Sequence, residues 1–216
     1  MRILFLILVL FPSLSYAVPP NYASLRPLMI GYVQSSSNTP GPVQDAFNAL
    51  DGDINTKYLN FDKVNTGFTV RLSQGKVVSG LQFTTAEDWS GRDPASFVLY
   101  GSNDNQSWTT IDSQLLALPN ARQTQSSVSN VTNTSAYVYY KIEFPTVKNP
   151  NVGCGWDCNS MQIAEVVFIY DQNDLTTSVD TGNDTFLPLP STYCCGGSGS
   201  AFQVNPAHMS NIMLFK

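Results

Sequence analysis

Within residues 49–57 the chain gathers two carboxylates, Asp51 and Asp53, an amide, Asn55, and a hydroxyl, Thr56, around a glycine turn at Gly52. These are hard oxygen donors at short spacing, the kind of set that Ca2+ takes. The EF-hand pattern does not fit: the twelfth position counted from Asp51 is Asp62, and the intermediate acids fall out of register. A second acid matters far downstream. Glu165 sits inside the run Ile163-Ala164-Glu165-Val166-Val167-Phe168, where a carboxylate buried without a partner is costly. It must either face solvent or meet a cation.

Most catalytic chemistries lack their residues. His208 is the single histidine and stands in a late segment downstream of a Gly/Ser stretch, which removes Ser-His-Asp triads, multi-His zinc sites and His-Glu-x-x-His proteases. Gly196-Gly197-Ser198-Gly199-Ser200 lacks the final glycine, the preceding apolar strand and the histidine partner of a nucleophile elbow. Glu87 and Asp88 are neighbours in sequence, and adjacent side chains rarely flank a bond as acid and nucleophile must. The expectation is a chain that is not an enzyme. Charged residues are only 12 % of the sequence, the formal charge is −5, and no Lys/Arg cluster exists. A phosphate-tracking surface for nucleic acid and a polybasic membrane anchor are therefore both unsupported.

The N-terminus reads as a signal peptide over residues 1–17: Met1-Arg2, an apolar run at 3–11, and Ser15-Tyr16-Ala17 as a small-x-small cleavage site. That run is shorter than the roughly twenty residues a bilayer span needs, and no later segment reaches that length, so a secreted, extracellular chain with no transmembrane segment after processing is expected. Export permits disulfides. The four cysteines form two close pairs, Cys154/Cys158 and Cys194/Cys195, and three connectivities stay open. Cys154 with Cys158 closes a loop around Gly155-Trp156-Asp157; a vicinal Cys194–Cys195 ring is strained, so bridges from loop to tail compete. Sequons stand at Asn105, Asn130, Asn133 and Asn183.

The elements that must position these residues are strands. From about residue 67 short apolar or alternating runs recur at 68–72, 77–85, 96–101, 108–112, 137–144 and 161–170, separated by polar turn clusters, with no long helical period. In the run at 137–144, Val138, Tyr140, Ile142 and Phe144 share one face and Tyr139, Lys141 and Glu143 the other, the pattern of a sheet with one buried side. After residue 170 alternation stops and Asp, Asn, Thr, Ser, Gly and Pro dominate, so residues 171–216 read as a linker or tail. Residues 209–216 turn apolar again, in the manner of the start of a further region.

In order along the chain, Ala49-Leu50-Asp51-Gly52-Asp53-Ile54-Asn55-Thr56-Lys57-Tyr58, then Phe97-Val98-Leu99-Tyr100-Gly101-Ser102-Asn103-Asp104 with Trp108-Thr109-Thr110-Ile111, and finally Ile163-Ala164-Glu165-Val166-Val167 resemble the coagulation factor 5/8 type C (discoidin) domain. The nearest likeness is to the family 32 carbohydrate-binding modules. The resemblance covers residues 30–170, with 18–29 as a lead-in, and implies an all-β, eight-stranded jelly-roll sandwich of the galactose-binding type. It also implies one structural Ca2+, held by the Asp51 side chain, oxygens of Asp53 and Thr56, the carbonyls near Asn48 and Ala164, and the Glu165 carboxylate. The other reading of the turn is a metal-free one held by Asx hydrogen bonds.

Sugar-binding members of that family use loops at one end of the sandwich, and the matching loops here contain Asn60, residues 87–93 and residues 153–159. A pyranose needs an aromatic face for its C–H patch and fixed polar groups for its hydroxyls. Trp89 or Trp156 supplies the platform in this reading, with Arg92 and Asp93 as donor and acceptor and Asn60 and Asn159 as adaptable contributors. Two alternatives stand beside it: Arg92-Asp93-Pro94 as a turn with an internal ion pair, and Trp89 as a packed loop anchor. Tyr58 and Trp108 fall at packing positions. The histidine common in such sugar sites is missing, so the resemblance does not carry the identity of the sugar. The expected function is a secreted lectin-like module that recognises glycans; the alternative is a cell-surface or matrix adhesion domain binding a protein partner.

Overall fold

A computed structural model describes residues 22–171 and the backbone of Leu187–Pro188. The leader at 1–17, Cys194, Cys195, His208 and the rest of the tail lie outside the described residues, as does the sequon at Asn183. Strands β1 to β6 are Tyr22–Ser24, Met29–Gln34, Tyr58–Asn60, Thr66–Lys76, Val78–Thr84 and Ser96–Ser102. Strands β7 to β12 are Thr109–Leu115, Ser129–Asn130, Tyr137–Phe144, Met161–Ile163, Glu165–Asp171 and Leu187–Pro188. They form a six-stranded sheet in the order β12-β2-β4-β9-β6-β7, a four-stranded sheet β1-β11-β5-β8, and a two-stranded ladder β10-β3. Every pairing is antiparallel. Among the described residues no helix is long and apolar enough to cross a membrane.

The core lies between the two large sheets and follows from alternation. Tyr140, Ile142 and Phe144 of β9 point inward and are fully buried, as are Phe68 and Val70 of β4 and Phe83 of β5. Phe83 packs against Phe97 and Phe144 with ring centroids 5.8 and 6.4 Å apart, and Phe168 meets Phe68 and Tyr140. This is the β-sandwich that the resemblance implied.

Three details depart from the sequence reading. The apolar run at 161–170 is two strands, broken at Ala164, whose N–H donates to Thr84 O: β10 pairs with β3, and β11 pairs with β5. A run buried on both faces carries no periodicity to reveal such a break. The sandwich also begins before residue 30, because β1 pairs with β11 and the buried Leu25 donates its N–H to Phe168 O. Finally, Leu187–Pro188 adds two residues to the edge of β2, so the segment read as tail returns to the six-stranded sheet.

Candidate functional site

The β3–β10 ladder sets one end of the sandwich. Pairing Asn60 with Met161 places the loop leaving β3 beside the loop entering β10, although a hundred residues separate them. The third contributor is the β5–β6 connection, which carries a 3₁₀ turn at Ser90–Arg92; the loop before β10 carries another at Gly155–Cys158.

These two turns are fastened together. Asp157 accepts the Gly91 N–H at 3.0 Å through Oδ1 and the Asn149 amide at 2.9 Å through Oδ2, and Asn149 donates its own N–H to Gly91 O at 2.8 Å. Glycine is required by close approach: a Cβ on residue 91 lies 2.3 Å from Asp157 O. Arg92 donates Nε to Trp156 O, and its guanidinium carbon stands 5.9 Å from the Trp156 ring centroid. Cys154 and Cys158 are joined by a disulfide that closes the turn holding Trp156.

The result is a depression of about 340 Å3 whose walls include Trp89, Trp156, Phe61, Lys57, Glu87 and Asn159. Trp156 is 68 % exposed and Trp89 51 %, so much of each indole is accessible. Lys57 is buried beneath them, donating to Glu87 Oε1 at 2.6 Å and Gln162 Oε1 at 3.2 Å. Asp88 Oδ1 lies 3.2 Å from the same ammonium, inside ion-pair range yet outside hydrogen-bond geometry. Gln162, also buried, donates to Asp88 O and Trp89 O and so supports the tryptophan loop from below. Lys57 and Gln162 escaped the sequence reading because their partners are distant in the chain.

The predicted ligand residues divide. Trp89, Trp156 and Asn159 border the depression; Arg92 reaches its wall but is buried, fixing the Trp156 loop. Asn60 and Asp93 are corrected. Asn60 is fully buried and has no free polar atom to offer: Nδ2 donates to Ser36 Oγ and Tyr58 OH at 3.0 Å each, and Oδ1 accepts the Asp62 N–H. Asp93 is fully buried under a bidentate Arg122, at 2.8 and 2.6 Å, with Lys148 at 3.1 Å. The internal ion pair weighed for that turn exists, but its cations are Arg122 and Lys148 rather than Arg92. Tyr58 is core as expected, while Trp108 is half-buried beside the Lys141 ammonium, 5.2 Å from its ring.

The acidic turn forms a separate cluster. Thr56 Oγ1 stands 2.8 Å from Asp51 Oδ2, 2.9 Å from Asp53 O and 3.3 Å from Asn48 O. One hydroxyl proton cannot satisfy three acceptors at once, so the cluster carries an excess of oxygen lone pairs. Glu165 is buried beside it, accepting the Gly52 N–H at 2.6 Å. Burial, and then the neighbouring Asp51 carboxyl, push Glu165 up to about 8, with Arg26 acting in the opposite direction from its position over Gly52. Asp51, Thr56, Glu165 and the carbonyls of Asn48 and Asp53 are thus a hard donor set that fits a divalent cation such as Ca2+. The Asp53 carboxylate turns away to cap Asn55, and Ala164 contributes the chain break that aims Glu165 inward. Among the described residues no three His, Cys, Asp or Glu side chains converge, so a cation held here would need main-chain oxygens as well.

The family model for the F5/8 type C domain matches residues 32–152. Among solved structures, a family 32 carbohydrate-binding module of Clostridium perfringens in complex with GalNAc-β-1,3-galactose is similar over 68 % of this chain and 99 % of its own, with 14 % identity and a TM-score of 0.53. Another family 32 module, from a family 31 glycoside hydrolase of the same organism, is similar over 68 % and 93 %, with 15 % identity and a TM-score of 0.55. A family 62 module from Clostridium thermocellum is similar over 67 % and 96 %, with 17 % identity and a TM-score of 0.50. At these identities the likeness is one of fold. A comparison with curated proteins gives no match.

Proposed function

Because the chain belongs to the F5/8 type C domain family, we propose that it is a secreted, non-catalytic carbohydrate-binding module, stabilised by Ca2+ and recognising glycans through the loops at one end of its sandwich. The observation that carries this reading is the pair of exposed indoles, Trp89 and Trp156, standing over a depression lined with charged and amide groups. An indole face takes the apolar C–H patch of a pyranose, and the groups around it take the hydroxyls. Glu87 and Asp88 are held by one ammonium, Lys57, which suits them to shaping and anchoring the site.

The Trp156 platform is pre-organised. The disulfide, the Asp157 contacts and the Arg92 bond restrict the loop before any ligand arrives, so less conformational entropy is lost on binding. Secretion is supported by the leader pattern at 1–17, and the Ca2+ role by the crowding of oxygens at Thr56. The similar C. perfringens module was solved with GalNAc-β-1,3-galactose, so galactose-containing glycans head the set to be screened.

The test is a glycan-array screen of multivalently displayed protein, with Ca2+ and with chelator, alongside Trp156→Ala. Multivalent display matters because avidity reveals weak single-site binding. Selective binding that Trp156→Ala loses, with the circular dichroism spectrum unchanged, is the expected result. Folded protein that binds no glycan moves the reading to an extracellular domain with a protein partner.

A further inference from the structure

A second depression opens beside the first. It holds about 470 Å3 and is lined by Phe61, Lys63, Val152, Gly153, Gly155 and Asn159, among others. Phe61 and Asn159 border both, so the two hollows adjoin at these side chains. Their chemistry differs. In the first, Glu87 uses only Oε1 on Lys57, and Asn159 accepts from Ser160 through Oδ1 while its Nδ2 has no partner among the described residues. Directional groups therefore remain for sugar hydroxyls.

In the second hollow two polar side chains are partly engaged. Asp62 accepts from Ser36 Oγ and from the Asn38 amide at 2.7 Å, and Lys63 donates to Asn151 O at 2.5 Å. Beside them lies bare apolar surface: Phe61 is 41 % exposed, Val152 is 93 % exposed, and a Cβ placed on Gly153 or Gly155 meets nothing within 4 Å. Such a surface packs the face of a ring. The charged side chains balance in each hollow, Lys57 and Arg92 against Glu87 and Asp88 in the first and Lys63 against Asp62 in the second, so neither concentrates charge of one sign.

We infer that the ligand is a neutral oligosaccharide of at least two residues, one read by the hollow under Trp89 and Trp156 and the next packed over Phe61 and Val152. This rests on the glycan reading above and specifies it. The first subsite sets which sugar is taken. The second rewards chain length.

Calorimetric titration of the purified protein tests this with matched pairs: lactose against galactose, chitobiose against N-acetylglucosamine, mannobiose against mannose, and 3′-sialyllactose against lactose. The expected result is a disaccharide that binds about tenfold tighter than its terminal monosaccharide. Val152→Asp and, separately, Lys63→Ala should bring that ratio down towards one, and sialylation should give no gain. Equal affinity for the two members of every binding pair, a ratio unmoved by both variants, or a preference for the sialylated sugar overturns the inference while leaving the glycan reading in place. Silence across all pairs from folded protein overturns the glycan reading itself.

Discussion

The Gly91 N–H donates to Asp157 Oδ1 at 3.0 Å, and through this contact the loop carrying Trp89 is tied to the loop carrying Trp156. The two loops are thus fastened to each other by a glycine and a carboxylate rather than by the tryptophans themselves.

Asp157→Ala removes the acceptor of two hydrogen bonds and leaves the Gly91 N–H and the Asn149 amide without it. Leaving such groups unpaired costs about 1–3 kcal/mol where they are shielded from water. We expect a loss of stability in that range in urea unfolding, together with weaker glycan binding, even though Asp157 does not line the hollow. Unchanged binding in a destabilised variant would show that the loops hold their spacing without the latch.

Asp93→Ala leaves Arg122 and Lys148 facing a site that has lost its anion. Removing one member of a buried pair costs about 3–5 kcal/mol, and the lower end applies here because both cations keep contact with solvent. Guanidinium unfolding should show a loss on the order of 3 kcal/mol with the slope unchanged. A loss no larger than that of an ordinary surface substitution would count against the triad as a structural tie.

Ca2+ should raise the thermal midpoint of the wild-type protein and chelator should lower it again. At a hundred times its dissociation constant a ligand adds about 2.7 kcal/mol. Glu165→Gln keeps the shape of the side chain but removes a ligand charge, so its midpoint should respond little to Ca2+. Equal responses in wild type and variant would remove Glu165 from the cation site.

The acid limb of stability should depend on Asp104. Its carboxylate accepts the N–H groups of Ser107 and Gln106 and the Ser102 hydroxyl, and these bonds hold it well below the usual carboxylate range. A lowered native value means that its contribution is present above the unfolded value and fades as the pH falls through the acid range. Asp104→Asn should therefore flatten the loss of stability on acidification, read as thermal midpoint against pH. An unaltered acid limb would show that the turn holds without the charge.

Much of the fold was legible in the residues. Alternation in β9 identified its buried face because period-two burial is local in sequence, and the turn from Ser102 to Asp104 closes on its own hydrogen bonds. Glu165 could be marked as costly from its apolar neighbours alone, and the exposed indoles could be placed in loops. Other features were out of reach. Asn60 and Asp93 belong to polar, turn-rich segments that read as ligand loops, yet both are buried, with distant partners, Ser36 for Asn60 and Arg122 and Lys148 for Asp93, among those that occupy their polar atoms.

The sequence by itself determined the β class, the places of six strand runs, the oxygen-rich turn and the scarcity of catalytic groups, all of which follow from residue type and short-range spacing. Only the tertiary structure decided where the run at 161–170 breaks, that Lys57 lies beneath Glu87 and Asp88, and that Trp89 and Trp156 share one hollow. The physical reason is the antiparallel sandwich. Its ladders pair residues a hundred positions apart, and the energy of a buried charge or an open ring depends on those distant neighbours rather than on the residues beside it in the chain.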